Sequence, residues 1–350
     1  MIRSYKYENS AVQLRLHELI LAFFDRIENE TGAFDDSFFS ADLLYLANRH
    51  PQILRAPCIS IYNTIRTWRP QDRSDFCLQI RNSNNIENIC AGTIVPKRLS
   101  RTITGVLKIL RDLFLNLYKQ VLDGDAFNTR FNTSLRSHFD SFSKLNLDIT
   151  LCPICGIGEL KKHQDVTRDQ YDHYLPQSIY PLSSVNFKNL VPTCKECNSL
   201  DVKAEKDIIA LAYNKKLFFP YDTTHKGITV SFQVIADHIK IDDITWRITY
   251  SNPDNKDQEV ISWKTIYDID NRYQGFVKAR MEKWYRHFWD YMNSARLASL
   301  TEATKAHAYD VFLELDEESY LNFLRRPALN GFIAGSLLAQ AEIQAKYYSS

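Results

Sequence analysis

An α+β fold, predominantly α-helical, is predicted by three features of the 350-residue sequence. Long stretches carry apolar residues at helical spacing, two neighbouring runs alternate as the arms of a hairpin, and two Cys-x-x-Cys pairs stand apart in the middle of the chain. The expected division is a helical N-terminal region over residues 1–148, a compact central module over 149–215, and a β-hairpin leading into helices over 216–350.

The elements follow in order. In "AVQLRLHELILAFFDRIENETG", Leu16, Ile20, Phe23 and Ile27 share one stripe, and Gly32 is a stop signal. In "ITGVLKILRDLFLNLYKQVLDGD", Val106, Leu110, Leu113, Leu117 and Val121 do the same before Gly124. Such stripes read as core-facing surfaces. The segment "FFPYD", Phe218 to Asp222, marks the exit from the central module. Beyond it, Ile228, Val230, Phe232 and Val234 alternate, and "ITWRITY" supplies the second arm. A long C-terminal helix places Val277, Met281, Trp284 and Phe288 on one face. Its basic residues, Arg272, Lys278, Arg280, Lys283 and Arg286, spread over a broad arc and read as a solvated face.

Composition excludes little. With 43 basic against 42 acidic residues, net charge gives no hint of a nucleic-acid partner, although a local patch can hide in a neutral total. No charged segment followed by an apolar one opens the chain, and no apolar run approaches the roughly 20 residues that span a bilayer. The expectation is a soluble cytoplasmic protein without a membrane partner. No internal repeat is evident.

Cysteine usage is more specific. Cys58, Cys77 and Cys90 follow no spacing rule and read as ordinary free thiols. "CPIC" gives Cys152 and Cys155, and "CKEC" gives Cys194 and Cys197. Two residues between cysteines let both sulfurs turn toward one point, and two such turns supply the four thiolates of a tetrahedral structural zinc site. A redox reading would call for a single pair on a βαβ pattern, which is not evident. The long gap between the pairs requires an inserted segment.

That segment contains "QYDHYLPQSIYP" and "NFKNLVPTCKECNSLDVK". In order it presents Asp172 and His173, Pro176, Asn189 and Leu190, and Cys194 through Asn198. These residues resemble the HNH endonucleases in their zinc-stapled form, and the run Asp-His-Tyr-Leu-Pro-Gln-Ser resembles the start of the HNH domain of RNA-guided nucleases. The resemblance covers about 60 residues. It implies a ββα-metal module with His173 as general base, Asp172 and Asn198 as ligands of a catalytic magnesium or manganese, and Asn189 holding the loop and the histidine ring in register.

The chemistry suits those residue types. Phosphodiester hydrolysis needs an activated water on one side of phosphorus and relief of negative charge on the departing oxygen at the other. Histidine serves the first task, and a carboxylate with an amide carbonyl holds a hard cation with positions left open. Four thiolates leave no open position on zinc, so zinc is structural and ties the strands to a helix expected from Cys194. Neighbouring strand residues face opposite ways, so Asp172 and His173 share a site only where the strand twists or ends.

One position departs from the family. A lysine three residues after the motif's last Asn or His is replaced here by Asp201, and lysine arrives at Lys203, either as a phosphate ligand or as a solvated helix lysine. A second acid–histidine pair, Asp237 and His238, lacks the asparagine and cysteine context and reads as hairpin sequence.

Two function classes compete: a metal-dependent endonuclease with double-stranded DNA as the expected substrate and RNA as the alternative, and a catalytically inactive zinc-stapled nucleic-acid-binding module. The joint presence of Asp172, His173, Asn189 and Asn198 favours the first. The architecture also resembles the nuclease partners of ATPases in bacterial antiphage systems such as Septu. The sequence contains no Gly-x-x-x-x-Gly-Lys loop, so nucleotide hydrolysis is expected from a separate polypeptide.

Overall fold

The computed structural model describes residues 4–315 and 321–348. Helix of all types accounts for 56% of the described residues and the named strands form two small antiparallel sheets, so the α+β, predominantly helical expectation holds. The chain forms two compact units, one built from residues 4–154 and 158–224 and the other from Cys155–Ile157 together with the described residues from His225 onward.

In the first unit, helices Arg15–Ile27, Ala41–Arg49, Ala56–Ile65, Pro70–Ser83, Gly105–Asn116 and Leu135–Leu145 surround one apolar core. Leu16, Leu19, Ile20, Phe23, Phe24 and Ile27 line the buried face of the first helix, a wider stripe than the four positions the spacing predicts. Ser40 accepts from the Leu43 amide, and Ser134 forms a capping box with Ser137. Each cap satisfies an amide that a helix start leaves unpaired, a contribution of about 1 kcal/mol. Cys58, Cys77 and Cys90 are buried, and burial pushes all three thiols up, as inert core thiols require.

The stripe from Val106 to Val121 is not one uniform helix. The α-helix ends at Asn116, and Leu117–Val121 continues with the wider turn of a π-helix. Leu110, Leu113, Leu117 and Val121 stay buried. The widened turn carries Tyr118 to a cavity that Asp172 and His173 also line.

The core also takes in Tyr171, Leu182, Val185, Phe187 and Leu190. The central segment is therefore packed on the N-terminal helices and shares their core. Strand β1, Tyr171–His173, pairs antiparallel with β2, Leu190–Pro192, setting Asp172 opposite Val191 and His173 opposite Leu190. Outward carbonyls of β2 accept from Tyr5 Oη at Pro192, 2.8 Å, and from Tyr221 Oη at Leu190, 2.6 Å. A three-residue ladder is too short to stand alone, and its stability comes from this packing.

His138 lies in the same core, hydrogen-bonded through Nδ1 to Tyr171 Oη, with its ring centroid 4.3 Å from that of Phe187. Burial lowers His138 and His173 to about 4 from the usual 6.5. Between those values the unfolded chain binds more protons than the folded one, so stability falls as pH drops from 6.5 toward 4. Each histidine contributes up to about 1.4 kcal/mol per pH unit in that window. Thermal unfolding across the window, with zinc content checked at each pH, is expected to show a shallower pH dependence for His138→Gln than for wild type. Parallel curves would exclude His138 as a source.

The second unit contains the predicted hairpin. Strand β3, Thr229–Ala236, pairs antiparallel with β4, Thr245–Ser251, in the register Val230↔Tyr250 and Phe232↔Ile248. Helix Asn322–Gly335 lies close against β3, and its glycines make that approach possible. A Cβ on Gly331 would stand 2.3 Å from the Phe232 carbonyl oxygen, and one on Gly335 2.8 Å from Val234 Cβ. Asp237 accepts from Ser336 Oγ at 2.6 Å and from the Leu338 amide at 2.8 Å, so it caps a helix start. The acid of the second Asp-His pair is thus a structural cap. Helix Ile269–Met292 buries Val277, Met281 and Trp284 on one face.

Candidate functional site

The four paired cysteines converge. The ligand atoms of Cys152, Cys155, Cys194 and Cys197 all lie within 4.8 Å of one another, and all four residues are buried. A zinc ion with tetrahedral bonds of about 2.3 Å would hold its sulfurs about 3.8 Å apart. Cys152 Sγ and Cys197 Sγ are 4.0 Å apart. Backbone amides point at the sulfurs, from Cys194 to Cys152 Sγ at 3.5 Å and from Ile157 to Cys155 Sγ at 3.4 Å. Such donors stabilise thiolate charge. A Cβ on Gly158 would meet Cys194 Sγ at 2.7 Å, so the close approach of the two turns depends on that glycine. The donor set and spacing fit a metal-holding centre.

After Cys197 the expected helix does not form. Residues 195–205 run through turns and bends, with Ala204 at a φ of 33°. Asn198, Ser199 and Asp201 favour such local geometry over helix, since their short polar side chains compete for backbone hydrogen bonds. The path brings Lys203 beneath the strand pair.

Lys203 is neither helical nor solvated. Its side chain is fully buried, and its amine donates to Asp172 Oδ1 at 2.7 Å and to the His173 carbonyl at 2.7 Å. Burial raises the Asp172 carboxyl above its usual range, and the Lys203 ammonium opposes that shift. Breaking a buried pair from one side costs about 3–5 kcal/mol, because the other charge is left uncompensated. Lys203→Met is therefore expected to lose stability on that scale in chemical denaturation. Adding Asp172→Asn should recover part of the loss, and additive losses in the two single variants would contradict the coupling.

His173 is the last residue of β1, at the position where consecutive side chains can reach one site. Its Nε2 lies 2.9 Å from the Ser184 carbonyl oxygen. A carbonyl only accepts, so Nε2 carries the proton of the neutral ring and Nδ1 keeps the lone pair. Burial, supplemented by Lys203, lowers the ring to about 4, so His173 is neutral at physiological pH. Tyr118 meets it edge-on with ring centroids 4.4 Å apart.

Asn189 organises the loop between the strands. Its Oδ1 accepts from the Leu175 amide at 2.7 Å, and its Nδ2 donates to the Leu175 and Ser183 carbonyls at 3.2 and 3.3 Å. Ser184 Oγ donates to the Phe114 carbonyl at 2.6 Å, fixing the residue whose own carbonyl orients His173.

Asp172, His173 and Asn198 line one cavity of about 520 Å³, together with Tyr118, Arg168, Gln177 and Ser178. Asp172 Oδ2 is buried without a hydrogen-bond partner, and the Asn198 side chain has none among the described residues. A buried carboxylate oxygen left unpaired beside a free amide suits a hard cation, which takes oxygen ligands and completes its shell with water or phosphate. Tyr118 and Arg168 were missed at the sequence level. Neither belongs to a motif, and only the turn at Leu117–Val121 and the fold of the 160–170 loop bring them to the cavity.

Fold and site together define an α+β, predominantly helical protein with a buried four-cysteine cluster able to hold a metal ion. Part of the chain is similar to the Septu protein PtuB of Bacillus thuringiensis, 41% identical over 44 residues, which span 13% of this chain and 15% of that protein. No family model and no solved structure matches the chain. No helix among the described residues is long and apolar enough to cross a membrane.

Proposed function

We propose that this protein is a metal-dependent endonuclease of the HNH type that hydrolyses phosphodiester bonds in double-stranded DNA. The observation that carries the reading is the convergence of Asp172, His173 and Asn198 on one cavity, with Asp172 Oδ2 lacking a partner. A binding module has no need of a buried, orphaned carboxylate oxygen beside a neutral histidine.

In this reading Asp172 and Asn198 hold magnesium or manganese. The cation, when bound, supplies Lewis-acid relief of charge on the phosphate and the departing oxygen. His173 accepts the proton of the attacking water at Nδ1, with Nε2 kept protonated by the Ser184 carbonyl. Asn189 holds the loop that sets the ring's orientation. The Asp172–Lys203 pair retains one carboxylate oxygen and leaves Oδ2 for the cation. Zinc on the four cysteines fixes the turn that presents Asn198.

The similarity to PtuB supports a role in Septu-type antiphage defence, and the partner proposed for it is an ATPase on a separate polypeptide. The test is incubation of purified protein with plasmid DNA and with RNA, in magnesium or manganese and then in chelator. Metal-dependent cleavage of DNA is expected. No cleavage of either polymer by well-folded, zinc-loaded protein would overturn the nuclease assignment, and cleavage of RNA alone would change the substrate.

A further inference from the structure

We propose that Arg168 is the cation that binds the substrate's backbone phosphate at this site, and that the Ser178 hydroxyl completes the phosphate subsite; the proposal rests on the nuclease reading for what the phosphate is part of. Three observations carry it.

First, the lysine that sequence position offers for this task is committed elsewhere. Lys203 is completely enclosed, and its amine is held by Asp172 and the His173 carbonyl. Freeing it to meet a phosphate would strand a buried carboxylate. Second, Arg168 lines the cavity with Asp172 and His173, is only half-buried, and makes no ion pair among the described residues. Its guanidinium lies 5.7 Å from the Tyr171 ring centroid and donates once, to the Asp169 carbonyl at 3.2 Å. A guanidinium has five N–H donors in a planar fork that matches two phosphate oxygens, so most of its capacity remains for a ligand. Third, the same wall holds a buried hydroxyl that lacks a partner, Ser178 Oγ. A buried hydroxyl without an acceptor is satisfied by an incoming phosphate oxygen.

The segment bearing Arg168 is well anchored. Arg136 donates to the carbonyls of His163, Asp165 and Val166 at 3.0, 2.9 and 3.2 Å. The Lys161 amide donates to Asp169 Oδ2 at 2.6 Å, and the Lys162 amide to Asp165 Oδ2 at 2.6 Å. A guanidinium presented by a pinned loop loses less freedom on binding than one on a free loop.

The experiment compares wild type, Arg168→Gln and Arg168→Lys in two measurements. One is fluorescence anisotropy of a labelled DNA duplex in chelator over a salt series, and the other is plasmid cleavage kinetics in magnesium, with thermal unfolding and zinc content as fold controls. Arg168→Gln is expected to weaken binding and lower kcat/KM about 10- to 100-fold, the scale of a lost charged hydrogen bond. It should also reduce the slope of log affinity against log salt by about 0.9, the signature of one lost phosphate contact and not of a loosened fold. Arg168→Lys should restore the slope and only part of the affinity, since a point charge does not reproduce the fork. If wild type cuts but Arg168→Gln matches it in affinity, slope and kcat/KM, the subsite is wrong and the nuclease reading stands. If wild type does not cut yet binds with an Arg168-dependent slope, the subsite stands and the nuclease reading falls. If wild type neither cuts nor binds, both fall.

Discussion

His173→Ala is expected to lower the cleavage rate about 100- to 10,000-fold, the usual cost of removing a general base. The loss should appear in kcat with little change in DNA affinity, because in the proposed mechanism the ring acts on water and the phosphate is held by Arg168. The variant also leaves the Ser184 carbonyl without its donor, at a cost of about 1–3 kcal/mol, so folding must be measured alongside. His173→Gln provides the control: its amide can donate to the same carbonyl, yet it cannot accept a proton at neutral pH. Both variants should retain zinc. Asp172→Ala and Asn198→Ala should lose activity by weakening cation binding, and higher magnesium or manganese should recover part of it. No metal concentration should rescue His173→Gln. A His173→Gln protein that cuts at the wild-type rate with its fold intact would remove His173 from the mechanism and favour a binding role for the module.

The parts of this site that were legible in the sequence are those encoded by spacing. Two Cys-x-x-Cys pairs predict a convergent cluster wherever the chain between them runs, because each pair closes its own turn. Asp172 and His173 can share a site only at a strand end, and β1 ends at His173. The apolar stripes predict which faces are buried, as Leu16, Ile20, Phe23 and Ile27 show, and the alternation from Ile228 to Val234 locates the hairpin. What escaped was set by tertiary demand. The helix expected after Cys194 gives way to turns that Asn198, Ser199 and Asp201 favour, but the contact those turns deliver, Lys203 to Asp172 across 31 positions, is not encoded locally. Tyr118 sits within a stripe whose period predicts an unbroken helix, and only the wider turn at Leu117–Val121 sends it to His173. Arg168 lies in a loop without periodic pattern, and its place depends on Arg136 gripping three carbonyls. The shared core of the N-terminal helices and the central segment was equally invisible, since Leu182, Val185 and Phe187 lie in a stretch with neither helical nor strand periodicity.

Loss of the cysteine cluster should have the largest effect on the fold. Zinc binding by small metal-stapled units is worth on the order of 10 kcal/mol, comparable with the whole stability of a typical domain. Between Cys152 and Cys197 the regular structure is two three-residue strands and short 3-10 turns, so the segment has little of its own to replace the cross-link. Cys194→Ser should therefore abolish zinc retention, expose the region around residues 150–205 to limited proteolysis, and take cleavage with it. The first unit's helical core contains many buried residues that do not touch the cluster, so far-UV circular dichroism should fall much less than activity does. Brief treatment with a chelator separates the two metals. The cation on Asp172 and Asn198 would leave quickly and activity would return on adding magnesium, whereas zinc enclosed by four buried thiolates would stay. A stable Cys194→Ser protein with wild-type zinc content, or wild-type protein that folds without zinc, would show that the cluster does not staple this fold.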